Sequence, residues 1–148
     1  MANILMPRVK IDLPEKLFDI PINIPVRITD INYGDHVGND SLVSIIHEAR
    51  MQFLQYHGFT ELNIEGIGLI MSDLVVEFKN ESFYKDVIGV KMGRGEISKV
   101  SFELVYSLSV NRDTQQIIIA NAKTTMVCYD YELKKVVSIP PTLKNILS

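Results

Sequence analysis

Side chains that can transfer protons are concentrated in one stretch, DINYGDHVGND at positions 30–40. It contains three Asp, two Asn, two Gly and one His. His36 is a candidate base because an unperturbed imidazole, with a pKa of about 6.5, exchanges protons near neutral pH. Asp30 and Asn32 are two residues apart, so on an extended segment their side chains would point to the same side. The same composition is also typical of a polar turn that caps a helix, and both interpretations stay open at this point.

The stretch lies between a predicted strand at 24–29 and a predicted helix at 41–57. Apolar residues recur in the helix at the spacing of one continuous stripe: Leu42, Ile45, Ile46, Ala49, Phe53 and Tyr56. Further apolar residues leave only a narrow polar strip, which includes Glu48, so we expect the helix to be largely wrapped by other structure. Asn39 or Asp40 is the predicted N-cap, and Gly58 suits the C-terminal stop.

After Gly68 the apolar pattern changes to a period of two, which is typical of half-buried strands. It is clearest at 102–110, and similar strands are predicted at 69–79, 86–97 and 116–130, with a short closing helix in PTLKNIL. This order predicts an α+β fold in which one long helix lies on a curved antiparallel sheet. Residues 1–20, interrupted by Pro7 and Pro14, are predicted to be an irregular leader before a domain at 21–148.

The amino-acid composition limits which classes of binding partner are expected. The chain has 148 residues, 47% hydrophobic residues and a net charge of −3, which indicates one soluble domain without the basic stripe that nucleic-acid binding needs. The single cysteine, Cys128, cannot form an internal disulfide or a Cys-rich metal site, and we expect it to pack as a small apolar residue. No apolar run is long enough to span a membrane, and the N-terminus lacks the features of a signal peptide. We therefore expect a cytoplasmic protein with neither nucleic-acid nor membrane partners.

The text VRITDINYGDHVGNDSLVSIIHEAR at 26–50 resembles the hotdog-fold thioesterases of the 4-hydroxybenzoyl-CoA thioesterase-like group. Their pattern is a strand, D-x-D-x-x-G-H-V-N-N, and a helix that ends in an acidic residue and A-R. The matching residues are Asp30, His36, Val37, Asn39, Ala49 and Arg50. MVCYDYELKKVVSIPPTLKNIL, at the C-terminal end, is similar to the closing segment of the group. The resemblance covers about residues 24–147 and implies the hotdog fold, in which a curved sheet wraps one central helix.

The resemblance also implies an activity and a set of site residues. The expected reaction is hydrolysis of acyl-CoA or acyl-carrier-protein thioesters, without a metal or organic cofactor, in a homodimer or homotetramer whose sheets pair edge to edge. By analogy, the backbone amides of Gly38, Asn39 and Asp40 would polarise the substrate carbonyl. His36, Asp30 or Glu48 would assist proton transfer. Glu48 is included because a related branch places its carboxylate on the central helix.

One position departs from the pattern, because Asn32 stands where the group commonly has its catalytic acid. A carboxamide cannot act as a nucleophile or general base at neutral pH, although it can orient water or donate to a carbonyl. Three functions therefore remain open: a thioester hydrolase, an enoyl-thioester hydratase or dehydratase, and a non-catalytic acyl-thioester-binding protein. The hydratase pattern, D-x-N-P-x-H, is matched by Asp30, Asn32 and His36, but this loop has one residue more and no proline.

Overall fold

One antiparallel sheet packs against one long helix in a computed structural model that describes residues 8–148. The elements in chain order are β1 (Asn23–Pro25), a short 3₁₀ helix (Ile28–Asp30), α1 (Asn39–Tyr56), β2 (Gly68–Phe78), β3 (Val87–Ile97), β4 (Ser101–Arg112), β5 (Gln115–Asp130), β6 (Lys135–Val136) and α2 (Pro141–Leu147). This arrangement confirms the predicted α+β class. The four long strands and the closing helix lie within two residues of their predicted bounds.

The sheet has the strand order β1-β3-β4-β5-β2, with β6 beside β5, and every paired strand is antiparallel. In β4 the residues at alternate positions that were predicted to face inward are all buried, namely Phe102, Leu104, Tyr106, Leu108 and Val110. They belong to the same hydrophobic core as Ile46 and Phe53 of α1. The period of two in the sequence therefore identified the sheet face that holds the helix.

Helix α1 begins two residues earlier than predicted. Its N-cap is Gly38, without a side-chain hydrogen bond, so the prediction of Asn39 or Asp40 as the N-cap is wrong. Both residues instead belong to the first helical turn. At the other end Gly58 has a φ of 81°, a left-handed conformation that suits glycine, and this confirms the predicted stop.

The expectation that α1 is largely wrapped by other structure is wrong. Within the described residues 8–148, the side of α1 that points away from the sheet is exposed. Its exposed residues include Val43, Ser44, His47 and Glu48. The apolar residues on the opposite side, including Ile46 and the rest of the predicted stripe up to Phe53, are buried. The sheet therefore covers one broad face of the helix and leaves a second face accessible.

The strand predicted at 24–29 is also wrong beyond its first residues. Strand β1 ends at Pro25, and the backbone then turns into the 3₁₀ helix. The carboxylate of Asp30 closes this turn by accepting the Arg27 backbone N–H at 2.8 Å. Asp30 and Asn32 therefore do not share one extended segment, which removes the basis for placing their side chains on the same side.

Residues 8–20 form neither a helix nor a regular strand, yet they pack against the sheet. Leu17 forms an isolated bridge with Gly93, and the Phe18 N–H donates to the Met92 carbonyl at 2.8 Å. The Phe18 ring lies 4.7 Å from the Phe53 ring, centroid to centroid. The predicted leader includes residues 1–7, which lie outside the described residues, so its division from the domain stays a prediction.

Two further predictions concern the packing of Cys128 and the presence of membrane-spanning helices. Cys128 is fully buried in β5, which confirms its predicted packing role. Among residues 8–148, no helix combines the length and the apolar content that crossing a bilayer would require.

Candidate active site

The polar loop folds back on itself at the start of α1. Ile31 and Val37 form a bridge, and the Asn32 N–H donates to the His36 carbonyl at 2.9 Å. The Val37 N–H donates to the carbonyl of Ser82, at 2.8 Å, in the segment that connects β2 and β3. These bonds hold Asn32 and His36 together at the N-terminal end of the helix.

The imidazole of His36 has a defined orientation. Its Nδ1 lies 3.1 Å from the Val37 carbonyl oxygen, which can only accept, so Nδ1 carries the proton and Nε2 keeps a lone pair. The side chain is 31% exposed, and Nε2 lies 3.8 Å from a carboxylate oxygen of Glu81. Nε2 is therefore the ring nitrogen that can accept a hydrogen bond.

The carboxamide of Asn32 is oriented by the loop as well. Its Oδ1 accepts the Gly34 N–H at 2.8 Å, which leaves the Nδ2 amino group as a donor. A Cβ added at Gly34 would lie 3.2 Å from Nε2 of His36 and 3.3 Å from Oδ1 of Asn32. The absence of a side chain at Gly34 therefore lets both groups lie close to its backbone.

The start of α1 offers fewer free amides than the sequence suggested. The Gly38 N–H donates to the Asp30 carbonyl at 3.0 Å, so it is already occupied. Asn39 and Asp40 lie in the first helical turn, where N–H groups have no intrahelical acceptor and the helix dipole favours negative charge. Of the three predicted amides, those of Asn39 and Asp40 have no hydrogen-bond partner among the described residues.

His36 and Asn39 line a cavity of about 240 Å³, which we call the loop cavity. Its apolar walls are Leu42 of α1, Phe78 at the end of β2 and Ile119 of β5. Polar residues of the β2–β3 connection, at 79–82, line it as well, and a combination of apolar walls with polar groups is typical of a small-molecule site. The loop cavity therefore brings together an imidazole, the start of α1 and room for an apolar group.

Two other candidates lie elsewhere. Asp30 and Glu48 both line a larger cavity of about 440 Å³, between α1 and β1. The carboxylate of Asp30 is 4% exposed and accepts from both the backbone and the guanidinium of Arg27, so its role here is to close a turn. Glu48 accepts a hydrogen bond from Gln52 at 2.7 Å. The structure thus separates these two carboxylates from the cavity that holds His36.

A buried polar cluster beneath α1 was missed by the sequence analysis. Arg50 is 5% exposed and donates from Nε to Glu61 at 3.2 Å and from a terminal nitrogen to the Tyr106 hydroxyl at 3.3 Å. Burial alone would lower the pKa of Arg50, but Tyr106 and Glu61 outweigh it and raise this pKa, so the guanidinium stays charged. Glu61 also bonds to His47, an exposed residue of α1. The cluster fixes the middle of α1 to the sheet.

A second polar cluster, which the sequence analysis did not predict, lies in the β2–β3 connection and holds the backbone next to the polar loop. Asp86 accepts from Arg112 at 2.6 Å, from the Ser82 hydroxyl at 2.9 Å and from the Phe83 N–H at 2.8 Å. Burial would raise the pKa of Asp86, but these donors outweigh it and lower the pKa. Because the Ser82 carbonyl holds Val37, this ion pair stabilises the backbone next to His36.

Comparison with known proteins identifies the chain at this point. The model of the thioesterase-like superfamily matches residues 26–147. This chain belongs to the thioesterase-like superfamily. A protein of Aquifex aeolicus (strain VF5) described as a candidate esterase is 31% identical over 102 residues, which cover 68% of this chain and 75% of that protein. The superfamily confirms the predicted class of enzyme, a hydrolase of thioester bonds.

Solved structures agree on the fold. A candidate thioesterase from Pseudomonas aeruginosa is 18% identical with a TM-score of 0.80, covering 90% of this chain and 100% of that one. A variant of 4-hydroxybenzoyl-CoA thioesterase, solved with 4-hydroxybenzoyl-CoA, is 18% identical with a TM-score of 0.76, covering 87% and 98%. At these identities the likeness concerns the fold alone, and it confirms the predicted hotdog arrangement.

Proposed function

We propose that this protein is a cytoplasmic hydrolase of acyl-CoA thioesters whose reaction takes place in the loop cavity, with His36 as the general base. Acyl-carrier-protein thioesters are the second substrate class. The observation that carries the proposal is the orientation of His36, whose Nδ1 bonds to the Val37 carbonyl and leaves a lone pair on Nε2, in a cavity that is also lined by Asn39 of the first turn of α1. No metal or organic cofactor takes part in the proposed reaction.

The proposed reaction uses His36 and Asn39, which line this cavity, together with Asn32 and Asp40, which lie close to them in the loop and in the first turn of α1. Nε2 of His36 removes a proton from water, and the water oxygen attacks the thioester carbonyl carbon. The oxyanion that forms is stabilised by the amides of Asn39 and Asp40, with Nδ2 of Asn32 as a further donor. The intermediate then breaks its carbon–sulfur bond, and the departing thiolate takes the proton from the imidazolium. A general base contributes about 10²–10⁴-fold in rate and one oxyanion donor about 10²–10³-fold.

The acyl group would lie between Leu42, Phe78 and Ile119. These walls are apolar, and the cavity of about 240 Å³ suits a short or aromatic acyl group better than a long alkyl chain. The structural likeness to 4-hydroxybenzoyl-CoA thioesterase supports an aromatic group as a candidate. Chain-length preference is therefore a direct readout of whether this cavity is used.

We also propose that the protein is a homodimer or homotetramer formed through β2. Within residues 8–148 this strand is an edge of the sheet and pairs only with β5, and it exposes the apolar side chains of Ile70, Met71 and Phe78. An unpaired edge of this kind favours pairing with another strand. Because Phe78 is also a wall of the loop cavity, a second copy at β2 would help to close the site.

The test is release of free thiol from a panel of acyl-CoAs and one acyl-carrier-protein thioester, with His36→Ala and His57→Ala compared with the wild type. His57 is the matched control because it lies at the far end of α1. We expect thiol release by the wild type and by His57→Ala, and a kcat lower by about 10²–10⁴-fold for His36→Ala. Binding of acyl-CoA without thiol release from any substrate would overturn the hydrolase proposal. Hydration of an enoyl-CoA without thiol release would support the hydratase instead.

A further inference from the structure

Of the described residues that line the loop cavity, Glu81 is the one with a carboxylate. One of its oxygens lies 3.8 Å from Nε2 of His36. Within residues 8–148 the Glu81 side chain forms no ion pair with a lysine or an arginine. Its carboxylate oxygens therefore stay available as hydrogen-bond acceptors at the side of the cavity where His36 lies.

The backbone around Glu81 is held in place by hydrogen bonds to the sheet. Asn80, which precedes it, donates from its side chain to the Ile118 carbonyl of β5 at 2.7 Å. The carbonyl of Glu81 itself accepts from the guanidinium of Arg112 in β4 at 3.0 Å. The side chain of Glu81 is exposed, but the backbone that carries it is fixed to two strands.

A backbone hydrogen bond also joins Glu81 to His36. Ser82, which follows Glu81, accepts the N–H of Val37, which follows His36, at 2.8 Å. Ser82 is 2% exposed, and its hydroxyl donates to Asp86 at 2.9 Å, so this anchor is itself buried and bonded. The imidazole and the carboxylate are thus neighbours because of the two backbone segments that carry them.

The separation of the two side chains suits a shared water molecule. The 3.8 Å between Nε2 and the carboxylate oxygen is longer than a direct hydrogen bond. One water about 2.8 Å from both atoms can donate one hydrogen bond to each of them. The lone pairs of such a water point away from both acceptors and are free to attack a carbonyl carbon.

We propose that Glu81 supplies the carboxylate that the polar loop lacks at Asn32, and that it holds the attacking water together with His36. This inference rests on the proposed function. As the water oxygen bonds to the thioester carbonyl carbon, one of its protons passes to Nε2 of His36. The second O–H bond stays intact and keeps donating to the carboxylate, so Glu81 takes no proton in this step. Glu81 is therefore a catalytic residue that contacts the nucleophile.

The test measures thiol release by the wild type, Glu81→Ala, Glu81→Gln and the control Glu132→Ala. Glu132 is an exposed glutamate of the turn between β5 and β6 and does not line the loop cavity. The substrates are an acyl-CoA and the uncharged acyl-pantetheine that lacks the nucleotide, so that repulsion between Glu81 and phosphates cannot account for a change. We expect Glu81→Ala to lower kcat about 10–100-fold for both substrates with unchanged KM. Glu81→Gln should recover part of this loss because its carboxamide oxygen can still accept, and Glu132→Ala should match the wild type.

A double-variant comparison with His36→Gln shows whether the two residues act on the same water. In that background Glu81→Ala should lower kcat by less than about twofold, because the water has already lost its other partner. Equal kcat in the wild type and Glu81→Ala would overturn this inference, as would the same fold loss with and without His36→Gln. A large loss in His36→Gln alone would then leave the proposed function standing. A wild type that releases no thiol would instead overturn the proposed function and this inference with it.

Discussion

Substituting Gly34 by alanine tests the geometry of the loop cavity with a single methyl group. The added Cβ would lie 3.2 Å from Nε2 of His36 and 3.3 Å from Oδ1 of Asn32, whereas ordinary contacts of this type are 3.4 Å or longer. Either the imidazole or the carboxamide must therefore move by a few tenths of an ångström. The methyl group would also occupy space beside the nitrogen that is proposed to activate water.

We expect Gly34→Ala to lower kcat and to change the free energy of unfolding only slightly. Displacements of this size at a reacting group, together with blocked access to Nε2, should lower kcat by about 10–100-fold. Gly34 is exposed, and its substitution should change the free energy of unfolding by less than about 1 kcal/mol. The assay measures kcat by thiol release and the free energy of unfolding by urea titration on the same preparation.

Gly58→Ala is the control in which stability should fall while kcat stays unchanged. Gly58 has a φ of 81° and open space around a built Cβ, so alanine there should cost about 1 kcal/mol in backbone strain without touching the site. Its kcat should equal that of the wild type. An unchanged kcat in Gly34→Ala would show that the catalytic base is not Nε2 of His36 at this position.

Three further predictions concern the groups that support the site. Asp86 has a lowered folded-state pKa, so its ion pair stabilises the fold above the unfolded pKa of about 3.9, and this contribution is lost as pH falls through the folded value. Asp86→Asn should therefore unfold more easily than the wild type at pH 7, by roughly 1–2 kcal/mol, and the difference should shrink in urea titrations below pH 4. A constant difference at all pH values would contradict this. Burial raises the pKa of the Cys128 thiol to about 11. A thiol reagent at pH 8 should therefore label Cys128 only after the protein unfolds. Rapid labelling of the native protein would show that β5 opens. Arg50→Met removes the buried charge that pairs with Glu61 and the donor to Tyr106, and it should cost about 3 kcal/mol, part of which Arg50→Met/Glu61→Leu should recover. Equal unfolding midpoints for the wild type and Arg50→Met would refute that role.

The elements with strong periodicity were predictable from the sequence. Helix α1 and the strand at Phe102 repeat apolar residues at the spacings of 3.6 and 2, because each buries one face in a common core. The 3₁₀ helix was not predictable in this way, since a bond from Arg27 to the carboxylate of Asp30 closes it and leaves no periodic signal. The exposed side of α1 was missed because Val43 and Met51 are apolar without being buried.

The candidate site was predictable only as a location. The motif around His36 identified the loop, but the state of each group depends on partners that are distant in sequence, such as the Ser82 carbonyl that holds Val37. The occupied amide of Gly38 and the separation of Glu48 from His36 follow from backbone geometry, which residue types do not encode. The assignment of Asn32, His36, Asn39 and Asp40 to catalysis stays a prediction.

Single-turnover hydrolysis is the most direct measurement of the central role given to His36. Excess wild-type protein or His36→Gln is mixed with the best acyl-CoA of the panel, and acid-quenched samples are analysed for free carboxylic acid, so that product release does not limit the rate. The proposal predicts that His36→Gln binds the thioester with unchanged affinity and hydrolyses it about 10²–10⁴-fold more slowly. Equal single-turnover rates in the two proteins would contradict the assignment of His36 as the base.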